Sequence, residues 1–389
     1  MQKFQIKTQI HSGHNSINYL KTIDARKACI VTDKLMIQLG MVDKVTNVLE
    51  TNNIEYKVFD EVEPNPSLET VTRGLHHIVE TKPDLLIAIG GGSAIDAAKA
   101  IMFFCIKTKE ELVDKEAVKK PCFVAIPTTS GTGSEVTAYS VITDKKKNAK
   151  IPISEEIMVP DVAILDAEFT KTVPPFVTAD TGMDVLTHSI EALVSKEASE
   201  YTDMFAQKSI ELVFRYLIRA YKDGNDMTAR EKMHDASCMA GIAFTNAGLG
   251  ITHSLAHSIG AEYGLSHGRA NAILLPYVIE YNSGIENNND DNLKADERYR
   301  FVSRLLGLPS NTVEEGVMAL IEAVRTMNKM LNIPVTLKET GIDRDEFEKN
   351  LDKITKRAIK DICTMSNPKK VNSDDLKNIL KRAYCGLQF

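Results

Sequence analysis

The sequence predicts an α/β domain built on a Rossmann-like parallel sheet, followed by an all-helical domain. Three observations predict it. Up to about residue 150, short β-branched runs alternate with amphipathic stretches, the signature of a parallel sheet covered by helices. After Thr178 the strand-like runs give way to long helical periodicities. Between the two regimes stand Pro174 and Pro175, which would break a helix there. The boundary is placed at 177, giving an α/β domain over 1–177 and a helical domain over 178–389.

The first twenty residues alternate like a strand and lack the charged-then-apolar layout of a signal peptide. Strands are expected at 27–33, 55–60, 84–90 and 122–127, with 138–144 and 162–166 completing the sheet. Helices are expected at 41–53 and 67–80, then at 198–224 and 229–250 in the second domain. The polar stretch 285–298 reads as an exposed turn entering a helix, and the lysine-rich segment 353–382 as a solvated helix face.

A chain of 389 residues, 43% of them hydrophobic, can bury a core in each of two domains. A net charge of −6 argues against nucleic acid or an anionic membrane surface as partner. No apolar run approaches the ~20 residues that cross a bilayer. Six scattered cysteines without a CxxC spacing read as free thiols in a reducing compartment, so a cytoplasmic protein is expected.

The segment DLLIAIGGGSAIDAAKA is an apolar strand, three glycines, then a helix opening at Ser93. Glycines let backbone N–H groups approach a phosphate, and a helix N-terminus adds partial positive charge. The GGGS spacing differs from GxGxxG, and a tight strand-to-helix turn explains it equally well. A second loop, PTTSGTGSE at 127–135, also follows a strand and offers the Thr128, Thr129, Ser130 and Thr132 hydroxyls. Loops at strand C-termini are where a doubly wound sheet holds its ligand. Asp33 ends the strand 27–33. An acid there suits the ribose hydroxyls of NAD and repels the 2′-phosphate of NADP; an ordinary Asx turn is the bland alternative.

Four histidines fall in two short segments. Asp184 and His188 stand four apart, as do His253 and His257, and His267 follows in an expected loop between Gly264 and Gly268. Helical i,i+4 spacing puts each pair on one face, roughly 5–6 Å apart at Cβ. A lone histidine is usually a satisfied core residue. Two such pairs in apolar helices, with a fifth donor nearby, instead form a donor set for a divalent ion such as iron, zinc or manganese. His11, His14, His76, His77 and His234 lack a second donor at useful spacing and read as structural or exposed.

Together GGGSAIDAAK, IPTTSGTGSEVT, PDVAILD, TGMDVLTHSIEALVS, GLGITHSLAHSIGAEYGLSHGRANAILLP and the late Asn367–Pro368 resemble the iron-containing alcohol dehydrogenase family over the whole chain. That resemblance implies a dehydroquinate synthase-like fold with a metal between its two domains. It implies Asp184, His188, His253 and His267 as ligands of Fe2+, with Zn2+ an alternative, and His257 as a non-ligand proton relay. Cofactor-contacting positions would be Asp33, Asn65, Gly91, Gly92, Ser93, Asp96, Thr128, Thr129, Thr132, Thr137 and Lys150. SGTGSEVTAYSVITD, DMFAQKSIELVF and KMHDAS look most like the propanol and ethanol dehydrogenases of propanediol- and ethanolamine-degrading microcompartments. Three features depart from close relatives: Tyr277 after LLP, Leu193 in the helix bearing His188, and a longer 107–121 segment.

The expected reaction is NAD(H)-linked interconversion of short-chain primary alcohols and aldehydes. Partners implied are a small alcohol or aldehyde, further copies of the chain, and the enzymes or shell of a microcompartment. A diol or polyol dehydrogenase is the alternative within redox chemistry. A lyase that returns its NAD and a non-catalytic scaffold are the readings from other classes.

Overall fold

The computed structural model describes residues 3–112, 120–147, 149–285 and 295–386. Most of the expected turn in 285–298 and the middle of the 107–121 segment lie outside the described residues. Two compact units result: Ile6–Val173, and the chain from Pro174 onward together with the N-terminal stretch up to Gln5.

In the first unit the order is β1 (Gln9–Ser12), β2 (Lys27–Val31), α1 (Lys34–Gln38), α2 (Met41–Thr51), β3 (Glu55–Phe59), α3 (Leu68–Thr81), β4 (Leu85–Gly90), α4 (Gly92–Leu112) and β5 (Cys122–Pro127). Then come β6 (Tyr139–Asp144), β7 (Ala149–Ser154) and β8 (Val162–Leu165). Six strands form one parallel sheet in the order β1-β8-β5-β4-β2-β3. Side chains alternate across it, as strand geometry requires. Leu85, Ile87 and Ile89 join the core on the α2 face, whereas Leu86 and Ala88 join the α3–α4 face. Both faces are apolar because helices cover both.

Residues 138–144 do not complete that sheet. They form β6 of a separate antiparallel hairpin with β7, paired from Tyr139–Ser154 to Asp144–Ala149. The alternation identifies a strand but carries no information about its partner. A parallel neighbour would need a long crossover, whereas an adjacent strand needs only a turn.

Lys99 ties this hairpin to the sheet. It is fully buried on α4, and its ammonium donates to Ser134 O (2.6 Å), Ser134 Oγ (2.9 Å), Thr137 Oγ1 (3.1 Å) and Tyr139 O (2.9 Å). Burial pulls it down to about 8, against the pull of Asp96 and Glu135.

The second unit is helical: α5 (Pro175–Val194), α6 (Glu200–Lys222), α7 (Met227–Ala247), α8 (Ile251–Tyr263), α9 (His267–Ser283), α10 (Ala295–Leu305), α11 (Val313–Met330), α12 (Arg344–Lys360) and α13 (Ser373–Cys385). Pro174 and Pro175 start α5 instead of ending a helix; Pro175 takes the first turn, where its missing N–H costs nothing. From Thr178 to Val194 nearly every side chain of α5 is buried, and α6, α7 and α9 pack around it. Among the described residues no helix is long and apolar enough to cross a membrane. All six cysteines are free thiols.

Replacing Lys99 with methionine leaves several buried acceptors without a donor, at about 1–3 kcal/mol each. Lys99→Met should therefore speed amide exchange over 134–144 while protection in the helical unit stays unchanged. Unaltered exchange in that segment would show that Lys99 does not hold it.

Candidate metal centre and cofactor loops

Helix α5 presents Asp184, His188 and Glu191 on one face, at spacings of four and three. Helix α8 brings His253 and His257, and His267 is the first residue of α9, not a loop residue as the flanking glycines suggested. One donor atom from each of Asp184, His188, His253 and His267 lies within 4.8 Å of the others. Asp184 Oδ1 is 3.6 Å from His253 Nε2 and 3.4 Å from His267 Nε2, and it accepts the Asn271 amide at 2.7 Å. His188 and His253 stack with centroids 4.5 Å apart, and Phe244 closes the other face of His188 at 4.6 Å.

The donor set fits a divalent transition ion. Among the described residues, His253 Nε2 and His188 Nδ1 are buried with no hydrogen-bond partner. Leaving such atoms unpaired costs about 1–3 kcal/mol each, and a cation accepting their lone pairs removes that cost. Burial works to raise the Asp184 carboxyl, but the surrounding rings outweigh it and hold it below the usual carboxylate range. Burial also pulls His188 down to about 4, so its ring is neutral and able to ligate at neutral pH. His253 goes the other way: burial disfavours its charge, yet Glu191 and Asp184 hold it up at about 9. Without a cation, the two carboxylates draw a proton to the ring between them.

Two further carboxylates were not singled out from the sequence. Glu191 accepts His253 Nδ1–H at 2.6 Å. Asp361 lies 2.8 Å from His257 Nδ1 and accepts the Cys363 amide at 2.9 Å. Glu191 was legible as the residue three beyond His188 on the same helix face. Asp361 is 104 residues from its partner, and no local pattern points to it. His257 is less enclosed than its neighbour: its side chain is 40% exposed against 1% for His253. Leu193 is packed in the helical core, and Tyr277 donates to Val335 O at 3.0 Å.

In the α/β unit the two loops interlock at the strand C-termini. A Cβ on Gly92 would lie 2.9 Å from Thr132 Cγ2, and one on Gly91 would lie 3.3 Å from Thr129 Oγ1. Gly90 has φ +150°, and a Cβ there would meet Ala94 Cβ at 2.6 Å. Gly90 and Gly92 leave no room for a Cβ unless a neighbour shifts and Gly91 is tight, and their backbone reaches the start of α4, where helix-terminal N–H groups are available to an anion. Asn65 adopts a left-handed φ of 55° and its N–H donates to Ser93 Oγ at 3.3 Å, bringing its loop to the same place.

Asp33 caps α1 by accepting Met36 N–H on Oδ1 at 3.1 Å. Its Oδ2 lies toward Gly90, 3.6 Å from where a Cβ there would stand. The Asx cap and a ribose contact are therefore compatible, one oxygen for each. Asp96 and Thr137 serve the scaffold: Asp96 accepts Ser134 Oγ (2.7 Å) and Val141 N–H (3.0 Å), and Thr137 accepts Lys99. Thr128 is buried behind its loop, and Lys150 is exposed on β7.

Residues 7–167 match the family described as iron-containing alcohol dehydrogenase, and residues 178–384 match the C-terminal part of the Fe-containing alcohol dehydrogenase family. The chain is 44% identical to an NADPH-dependent butanol dehydrogenase of Clostridium saccharobutylicum, covering 100% of this chain and 99% of that one. It is 37% identical to a 1-propanol dehydrogenase of Salmonella typhimurium, over 98% and 99% of the two chains. Among solved structures, a 1,3-propanediol oxidoreductase superposes with a TM-score of 0.89 at 33% identity, over 99% of this chain and 100% of that one. A sulfoacetaldehyde reductase from Bifidobacterium kashiwanohense, in complex with NAD+, gives 0.86 at 27% identity, over 99% of each chain.

Backbone contact seats His267. A Cβ on Gly268 would lie 2.1 Å from Asp180 O, so α9 can start against α5 only with glycine there. The Asp180 side chain grips the same turn from both sides, accepting Ser266 Oγ at 2.7 Å and Arg269 Nε at 3.1 Å. Gly268→Ala must push this turn off α5 and carry His267 away from Asp184. It should lower metal affinity by at least about tenfold, read as metal bound per folded chain. Wild-type loading would show that the close approach is not needed.

Proposed function

We propose that this chain, which belongs to the iron-containing alcohol dehydrogenase family, interconverts short-chain primary alcohols and aldehydes with NAD(H). The observation that carries the metal-dependent chemistry is the convergence of Asp184, His188, His253 and His267 with buried, unpartnered ring nitrogens. Asp33, with one oxygen free of its cap, supports NAD over NADP. The butanol and 1-propanol dehydrogenase relatives support a short aliphatic substrate. The 1,3-propanediol oxidoreductase likeness favours a diol as the second reading. Motif likeness and the 1-propanol dehydrogenase relative support a place inside a microcompartment.

When bound, iron or zinc supplies a Lewis acid that polarises a carbonyl oxygen, and nicotinamide supplies the hydride. The protein's share is placement and proton handling. Asp184 and the three imidazoles would hold the ion beside an apolar wall formed by Phe244 and the α5 core. His257 holds the proton. Its Nδ1 is tied to Asp361, which leaves Nε2 to deliver or accept hydrogen, and its partly exposed ring can exchange that proton with water. Burial acts to raise Asp361, but the His257 hydrogen bond and charge hold it at about 2. Asp361 therefore stays an ionised acceptor for His257 Nδ1–H at neutral pH.

The test is NADH oxidation by anaerobically purified, iron-loaded protein with propionaldehyde, with NADPH alongside. Turnover should prefer NADH, and Asp33→Ser should erase at least about a tenfold preference, or 1.4 kcal/mol. His267→Ala should abolish turnover together with metal loading. Preference for NADPH, as the name of the butanol dehydrogenase relative states for that enzyme, would overturn the cofactor assignment. Turnover by metal-free protein would overturn the metal.

A further inference from the structure

Glu191 is buried, 3% exposed, on the α5 face that carries Asp184 and His188. Three N–H groups converge on its carboxylate. Oε2 takes Gly250 N–H at 2.9 Å and His253 Nδ1 at 2.6 Å, and Oε1 takes Thr252 N–H at 2.7 Å. Gly250 and Thr252 stand at the start of α8, where no side chain of that segment caps the helix. Glu191 thus supplies the cap from a different helix. Gly250 permits it, since a Cβ there would lie 2.8 Å from Glu191 Oε1.

We infer that Glu191 is a positioning residue that fixes the ring orientation and tautomer of His253, so that Nε2 presents its lone pair to the metal. The argument is one of donors and acceptors. Both amides can only donate, and hydrogen bonds to both oxygens favour the ionised, acceptor-only carboxylate. His253 Nδ1 must then carry hydrogen toward Glu191. Nε2, buried without a hydrogen-bond partner and 3.6 Å from Asp184 Oδ1, is then the nitrogen that would present its lone pair to a metal. A carboxylate behind a ligating imidazole also raises its basicity. One side chain therefore couples the ligands of α5 to the orientation of the ligand on α8. The inference rests on the metal reading above.

Glu191→Gln keeps the shape but replaces one oxygen with an NH2 group. With its remaining oxygen on Thr252, the amide would face two donors, Gly250 N–H and His253 Nδ1–H. Relief comes by moving the proton to Nε2, which blocks ligation. Competition for Zn2+ against a chromophoric chelator, with circular dichroism as a folding control, should show affinity about 10–100-fold below wild type. A folded Glu191→Gln protein with wild-type Zn2+ affinity would overturn the inference alone. Wild-type protein that takes up no Zn2+ or Fe2+ would overturn the metal reading and this inference with it. Should the variant fail to fold, 15N spectra of the Zn2+-loaded wild type decide. A protonated Nδ1 with Nε2 on the metal supports Glu191 as the positioning group, and the reverse tautomer overturns it.

Discussion

Everything distinctive about the helical unit depends on one constraint. A helix buried on nearly all sides must place two carboxylates and an imidazole inside an apolar core. Asp184, His188 and Glu191 occupy a single face of α5, and isolated charges there would be costly. The fold meets that cost with converging donors: the amides at the start of α8 and His253 Nδ1–H on Glu191, and the Asn271 amide from α9 on Asp184. Asn367 extends the arrangement, accepting Ile251 N–H at 3.3 Å and pairing reciprocally with Asn282 at 2.9 and 3.1 Å. The helix packing around α5 is organised by hydrogen bonds as much as by apolar contact.

The two units build binding surfaces by different physics. In the α/β unit the backbone itself comes forward, and glycine at positions 90 to 92 makes room for it against Ala94, Thr129 and Thr132. In the helical unit side chains provide the donors, and the glycines act one step behind. Gly250 lets Glu191 reach the α8 amides, and Gly268 lets the His267 turn seat against Asp180. A ligand recognised through phosphates suits the first solution, and one recognised through lone pairs suits the second.

Much of this was legible in the sequence because the relevant signals are local. Strands β2 to β5, helices α2, α3, α6 and α7, and the i,i+4 pairs all follow from periodicity within a dozen or so residues. Asp184 and His188 had to share a face once α5 was a helix. What escaped was non-local or ambiguous in kind. The partner of 138–144 could not be read from its alternation. The Asp361–His257 bond closes a long loop of chain. Asp96, a cofactor-contacting position by family resemblance, also accepts Ser134 Oγ and Val141 N–H, partners some forty residues away that no local pattern announces. Nothing in the neighbours of Lys99 announces that a charged side chain will be fully buried there.

The contrast between His253 and His257 shows why spacing alone assigns no role. They share a helix and a face, and each has its Nδ1 tied to a carboxylate, Glu191 at 2.6 Å and Asp361 at 2.8 Å. Their surroundings differ. His253 is enclosed, with Nε2 aimed into a cluster of donors and no hydrogen-bond partner to satisfy it. A cation is the partner that such an atom lacks. The ring of His257 stacks on His267 at 5.2 Å but keeps 40% of its side chain exposed, so its Nε2 can remain hydrated. A group in contact with water can exchange protons with solvent. His267 is itself 39% exposed, so exposure alone does not separate the roles; placement does, because His253 lies within the Asp184, His188 and His267 donor cluster and His257, one turn on, pairs with Asp361 outside it.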